Sequence, residues 1–211
     1  MSFLKKIFRR PEREALRQLC DEIGAEFIQG GYGERDKAVK KVKQWTITLD
    51  TLASSGYGAG DARMMAPYVN KDGFRFTIYR KSIVNGIGKP LGTQGIEVGY
   101  PDFDRDFIIK GNDESKLRTL FANPRIRQLI QSQPDIYLLV SADTAELVAK
   151  NFISSRHLSR LPQGGDVLRF EVPHLITDVE RLKSLFELFE ETLNQLCQMG
   201  SASEDDPNVV L

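Results

Sequence analysis

Carboxylates are gathered in one short stretch of the chain, YPDFDRDFIIKGNDE, which starts at residue 100. Asp102, Asp104 and Asp106 fall at alternating positions, and two more acids follow a glycine. Such a density of carboxylates is typical of a Ca²⁺ or Mg²⁺ site or of acid–base catalysis. The match to an EF-hand loop is only partial, because Phe107 and Asp113 stand where that loop needs glycine and glutamate.

An extended backbone would place the three aspartates on one face of a strand, at about 7 Å spacing. Phe103, Arg105 and Phe107 would then share the opposite, buried face. We therefore expect a neighbouring strand to supply the cation that answers the aspartates, with Arg75 and Arg80 as candidates. A solvated or ion-paired strand entry is the favoured interpretation, and an enzyme or cation-binding protein with an acidic site at 102–106 is the alternative.

Both histidines lie outside any recognisable catalytic motif. His157 is flanked by Arg156 and Arg160 in a basic segment that would lower its proton affinity and suit an anion contact. His174 follows a predicted strand, where a structural role is equally compatible. Because GxSxG, HExxH and Cys-His signatures are absent from the sequence, the pattern favours a protein without catalytic residues.

The first residues, MSFLKKIFRRPE, combine cations with apolar side chains. The segment has no apolar h-region, so we do not expect a signal peptide. Lys5, Lys6, Arg9 and Arg10 would suit a weak, reversible contact with an anionic membrane surface. A leader that docks on its own domain is the favoured interpretation of this segment.

The bulk composition excludes several classes of protein. Lys and Arg number 29 and Asp and Glu also number 29, which leaves no excess of cations to hold nucleic acid. Apolar runs stay far below the ~20 residues of a membrane-spanning helix. The glycine-rich loops lack phosphate-binding spacing, so no cofactor is predicted. Cys20 and Cys197 are predicted to be reduced cysteines of a cytoplasmic protein, with no zinc site.

Periodicity and capping residues predict the elements that must position these side chains. Alternation predicts a strand at WTITLD, and an Asp-Gly pair in NKDG predicts a hairpin between MAPYV, whose Pro67 suggests an edge strand, and FRFTIYR. A further strand is expected at IEVGY, before two helices that begin near Asp113 and Asn123. Strands are also predicted at DIYLLVSA and VLRFEVP, on either side of a short helix at 145–152. A capping box of Thr177 and Glu180 opens a final helix of about 20 residues that ends at Gly200.

This order of elements predicts an α+β fold, in which helices pack on one face of a mostly antiparallel sheet and include the long capped C-terminal helix. We expect a basic leader over residues 1–11, a single domain over 12–200 and a disordered acidic tail over 201–211.

The segments WTITLD, GFRFTIYR and FDRDFIIKGNDE together resemble a family of uncharacterised bacterial proteins, over about residues 25–200. The resemblance implies a bacterial cytoplasmic domain and brings no catalytic residues. We therefore expect a non-enzymatic binding or interaction module for a protein partner or a small apolar ligand, acting through the sheet or the groove beneath the long helix. A peripheral membrane-associated factor is the alternative, and the sequence leaves self-association open.

Overall fold

The computed structural model describes residues 11–31, 34–52, 60–84, 95–141 and 165–207. The strands are β1 (Glu26–Ile28), β2 (Asp36–Val42), β3 (Trp45–Leu52), β4 (Asp61–Val69), β5 (Phe76–Arg80), β6 (Phe107–Gly111), β7 (Tyr137–Ser141) and β8 (Gly165–Val172). The helices are α1 (Pro11–Ile23), α2 (Lys81–Val84), α3 (Pro101–Asp106), α4 (Glu114–Ala122), α5 (Pro124–Gln131) and α6 (Val179–Gln198).

The eight strands of the described residues form one antiparallel sheet in the order β1-β2-β3-β4-β8-β7-β5-β6. Together with the helices this confirms the predicted α+β class. Among the described residues, no helix has both the length and the apolar character needed to cross a bilayer.

The main core lies between the first face of the sheet and the helices. Alternate residues of β3, such as Trp45 and Ile47, join the buried side chains of α1, α4, α5 and α6 in one hydrophobic cluster. Burial of alternate strand residues is what one covered sheet face requires. The long helix α6 contributes Leu182, Phe189 and Leu196 from its apolar stripe, as the sequence predicts.

The predicted hairpin between β4 and β5 is wrong, because β8 and β7 lie between these two strands. The Asp-Gly pair does form a turn, in which the Asn70 side chain accepts hydrogen bonds from the Asp72 and Gly73 amides. After this turn the chain does not run back beside β4 but continues into β5, with β8 and β7 between the two strands. Pro67 lies inside the sheet, but the pairing between β3 and β4 ends at Met65. At Pro67, β4 therefore pairs only with β8. A proline tolerates that position because only one side needs a ladder hydrogen bond.

Three boundaries also differ from prediction. The IEVGY segment is irregular instead of a strand, although Ile96 donates a 2.8 Å hydrogen bond to Ile109 at the outer edge of β6. The N-cap of α6 is Asp178, which accepts from the Arg181 amide, and not Thr177. The tail predicted to be disordered is packed at its start, where Ala202 bridges to Asn70. The helix predicted at 145–152 lies outside the described residues.

Candidate functional site

The acidic stretch is a short helix and not a strand, so the predicted alternation of faces is wrong. Asp104 lies in α3 and reaches back to the segment that precedes it. Its carboxylate accepts hydrogen bonds of 2.9 Å from the backbone amides of Val98, Gly99 and Tyr100. Because these three donors occupy both oxygens, Asp104 holds the chain that enters the helix.

The positive charge that pairs with Asp102 and Asp106 comes from the same stretch of sequence. In the helix, Arg105 lies 2.7 Å from Asp102 and 3.0 Å from Asp106, instead of facing away from them. The neighbouring-strand partners predicted from the sequence are wrong. Arg75 binds Asp166 on β8, and Arg80 donates to the backbone carbonyls of Gln131 and Gln133, at and just beyond the end of α5.

A metal or catalytic site at 102–106 is therefore not supported by this geometry. The side chains of Asp102 and Arg105 are 81% and 67% exposed, which is the environment of a surface ion pair. No group of three or more His, Cys, Asp or Glu side chains within the described ranges is arranged to hold a metal ion.

His174 belongs to a polar cluster at the start of α6. Its Nε2 lies 3.2 Å from Asp135, and Arg181 binds the other oxygen of the same carboxylate. Ser184 donates its hydroxyl proton to the Arg181 carbonyl and accepts from Gln133, so it is not presented to the imidazole as a nucleophile. The cluster ties α6 to the loop before β7, which supports a structural role.

The remaining predicted site residues fall outside the described residues. These are the anion-contact candidates Arg156, His157 and Arg160 and the membrane-surface candidates Lys5, Lys6, Arg9 and Arg10. Both assignments stay predictions.

The second face of the sheet, opposite the described helices, carries a row of side chains that crosses the strands. The strand registers place Lys37, Asp50, Arg63 and Glu171 side by side on β2, β3, β4 and β8. Their charges alternate in sign, which makes each neighbour an attractive cross-strand pair. Sequence reasoning missed this row because its members are up to 134 residues apart and only the register brings them together.

The centre of this row is a buried ion-pair network. Arg63 donates two hydrogen bonds of 2.8 Å to the two oxygens of Asp50, and both side chains are nearly inaccessible. Arg35 lies 3.1 Å from Asp50 and 2.6 Å from Asp61. Burial alone would lower the pKa of Arg35. The hydrogen bonds and negative charges of Asp61 and Asp50 outweigh that effect, so the pKa is raised. The network thus holds Arg35 as a fixed positive charge.

Partly exposed apolar side chains lie toward both ends of the same row. Among the described residues, Ile28 on β1 and Tyr137 on β7 are the exposed large hydrophobic side chains, at 42% and 38%. Tyr137 pairs with Tyr79 on β5, their ring centroids are 6.1 Å apart, and the Lys110 ammonium lies 6.0 Å above the Tyr79 ring. We call Thr77, Tyr79, Lys110 and Tyr137 the tyrosine flank.

A second candidate site lies on the opposite side of the molecule, beside the C-terminal half of α6. This α6 groove encloses about 430 Å³, within the range of small-molecule pockets. One wall is the turn between β2 and β3, formed by Lys43, Gln44 and Trp45. The other wall is formed by Glu191, Asn194, Cys197 and Gln198 of α6 and by Glu204. This polar lining does not suit the small apolar ligand expected from the sequence.

The Cys197 thiol in the groove is not an activated nucleophile. Burial raises its pKa, Glu204 raises it further, and Lys43 and Lys71 lower it by less. Cys20 is buried in the main core, where burial and then Asp21 raise its pKa to about 11. Both are free thiols, as predicted.

No protein-family model and no curated protein matches this sequence. Among solved structures, the crystal structure of the mycobacterial trehalose monomycolate transport factor A, TtfA, aligns with a TM-score of 0.49. The two sequences are 7% identical, over 89% of this chain and 96% of that chain. A likeness at this level says nothing about the ligand or partner of this chain.

Proposed function

We propose that this protein is a non-catalytic interaction module that binds a protein partner through the tyrosine flank. The observation that carries the proposal is the ring pair formed by the exposed Tyr137 and the half-buried Tyr79, held in register on adjacent strands. Tyrosine is enriched at the energetic centres of protein interfaces, because it offers a large contact area and a polar tip for little conformational entropy.

The rest of the flank indicates the chemistry of the partner. Lys110 is exposed and lies over the Tyr79 ring, so its charge is available beside an aromatic surface. A partner segment with an acidic residue next to an apolar one would meet both features. Attraction between charges of opposite sign raises the association rate more than the affinity.

The second exposed apolar side chain, Ile28, lies on the same face. Five interstrand spacings separate β1 from β7, which is roughly 24 Å. A standard interface covers about 800 Å² on each partner, or roughly 30 Å across. This distance is within the width of one ordinary interface, but the Asp50–Arg63 pair between the two positions is nearly inaccessible, so the proposal is confined to the tyrosine flank.

Quantitative affinity purification tests the proposal. We expect at least one acidic protein to co-purify with the wild type. The recovered amount of that protein should fall at least ten-fold with Tyr137→Ser. The matched control is Gln128→Ser, an exposed position on α5 that should retain the partner. Both variants should keep the wild-type far-UV circular dichroism spectrum. Equal recovery with wild type, Tyr137→Ser and Gln128→Ser would refute the role of the flank.

Bacterial origin and a cytoplasmic location remain proposals that rest on the sequence resemblance. The membrane-associated alternative depends on residues 1–10. It is tested by liposome sedimentation of the full chain and of a chain lacking those residues, where equal partition would remove the leader from consideration.

A further inference from the structure

An acidic side chain borders the tyrosine flank on β8. The register between β7 and β8 pairs Leu138 with Phe170. One further step of the same register brings Glu171 beside Tyr137. The Glu171 carboxylate lies 3.4 Å from the buried Arg169, and its side chain is 26% exposed. The flank therefore has a negative charge on the side of Tyr137.

A positive charge borders the flank on the opposite side. Lys110 on β6 is exposed, and its ammonium lies 6.0 Å above the ring of Tyr79. Across β8, β7, β5 and β6 the order is thus anion, Tyr137, Tyr79, cation. This order is complementary to a copy of itself that runs in the opposite direction.

A two-fold axis parallel to the strands, between β7 and β5, produces that reversal. Rotation about this axis places Tyr137 over Tyr79 of the second copy, and Glu171 over the strand that carries Lys110 of the second copy. The interface of a two-fold dimer requires a self-complementary patch of this kind. Two sheets packed face to face lie about 10 Å apart, a distance that two layers of long side chains fill.

We propose that the tyrosine flank binds a second copy of this chain in a two-fold symmetric dimer. This inference rests on the proposed function and names one partner for the same surface. A partner with an acidic residue next to an apolar one suits the flank, and Glu171 beside Tyr137 supplies that combination. Basic and acidic residues number 29 each, so no net charge keeps two copies apart.

The small size of the patch makes the dimer weak. Four strands span roughly 14 Å and five residues of a strand roughly 17 Å, which gives on the order of 300 Å² on each copy. This area is well below the roughly 800 Å² per partner of a standard interface, so the association is transient. Any other partner of the flank covers the same side chains and therefore binds in competition with the second copy.

Sedimentation velocity of the full-length protein, at concentrations up to about 1 mM, tests for the dimer. We expect the sedimentation coefficient of the wild type to rise with concentration, and Tyr137→Ser to raise the dissociation constant of the dimer at least ten-fold. Gln128→Ser on α5 is the matched control and should dimerise like the wild type.

A wild type that stays monomeric over this range, or a dimer that Tyr137→Ser leaves intact, would overturn the inference. Neither result alters the affinity purification with Tyr137→Ser, which separately decides whether the flank binds a different protein. Failure of the dimer is therefore distinguishable from failure of the proposed function.

Charge reversal tests the two-fold arrangement. Lys110→Glu and Glu171→Lys should each weaken self-association at least five-fold, because each sets like charges against each other across the axis. An equimolar mixture of the two variants restores both opposite pairs, so mixed dimers should form with an affinity within about two-fold of the wild type. Lys71→Glu, at an exposed position in the turn after β4, should dimerise like the wild type.

The fold of Glu171→Lys is checked by far-UV circular dichroism, because this variant also breaks the pair with Arg169. If both variants fold, a mixture that associates no more tightly than either one alone would overturn the arrangement. Wild-type affinity in Lys110→Glu would overturn it without the second variant.

Discussion

Asp104 is the residue whose role changes most between the sequence and the structure. Three backbone amides donate to its carboxylate, so neutralising it leaves donors without a full acceptor. We expect Asp104→Asn to lower the free energy of unfolding by about 2 kcal/mol, measured by urea denaturation. Asp102→Asn, on the exposed side of α3, should change it by less than about 0.5 kcal/mol.

Thermal unfolding of the wild-type protein tests the hypothesis of a metal site at 102–106. Millimolar Ca²⁺, Mg²⁺ or Mn²⁺ should leave the thermal midpoint unchanged, because the carboxylates of α3 do not converge. A metal-dependent rise that Asp104→Asn abolishes would contradict the structural role of this residue.

The sequence could not distinguish a strand from a helix at Asp102–Asp106. Alternating acids fit the period of a strand, but Pro101 at the first helical position and acids in the first turn also fit a helix start. Six residues are too few for the helical period to separate the two. Packing against the rest of the chain favours the helix, because it buries both Phe103 and Phe107 and places their ring centroids 4.8 Å apart.

At the scale of elements, the N-terminus of α6 depends on one side chain. The Asp178 carboxylate accepts from the Arg181 amide at 3.1 Å and also faces the positive end of the helix dipole. We expect Asp178→Ala to cost about 1 kcal/mol in chemical denaturation, whereas Thr177→Ala should cost less than about 0.5 kcal/mol. A larger cost for Thr177→Ala than for Asp178→Ala would support the capping box predicted from the sequence.

Asp72 joins the turn after β4 to α4 and to the start of the C-terminal tail. Its carboxylate accepts from Lys116 at 2.6 Å, Ser201 at 2.8 Å and the Phe74 amide at 2.9 Å. Burial opposes the charge of this carboxylate, but these hydrogen bonds and the charge of Lys116 together lower its pKa.

A lowered pKa in the folded state stabilises the protein above the unfolded pKa of about 3.9 and less as the pH falls through the folded value. We therefore expect Asp72→Asn to cost about 1–2 kcal/mol at pH 7 and progressively less toward pH 2. Urea denaturation across this range measures the gap to the wild type. A gap that does not narrow on acidification would show that the charge of Asp72 does not contribute.

Local signals were sufficient for several elements and insufficient for their arrangement. Alternation at WTITLD and the caps near Asp113 and Asn123 correctly predicted β3, α4 and α5. The Asp-Gly turn predicted a hairpin because strands adjacent in sequence usually pair. Here β8, almost 100 residues later in the chain, pairs with β4 instead, and no local pattern encodes that choice.

For the molecule as a whole, the sheet separates two candidate surfaces. One face packs on the helices and leaves the α6 groove at its margin, and the other carries the charged row and the tyrosine flank. The sequence predicted binding through the sheet or beneath the long helix. It could not place Tyr79 beside Tyr137, because that contact depends on the register between β5 and β7.

Site-specific photo-cross-linking in cells tests the central proposal most directly. A photoreactive phenylalanine derivative at position 137, which keeps an aromatic ring there, should give a defined cross-linked protein, and the yield should fall at least ten-fold when Tyr79→Ser is added. The same amino acid at the exposed position 21 of α1 should not capture that protein. A cross-link of equal yield from positions 137 and 21, or one unaffected by Tyr79→Ser, would contradict the assignment of the tyrosine flank as the partner-binding surface.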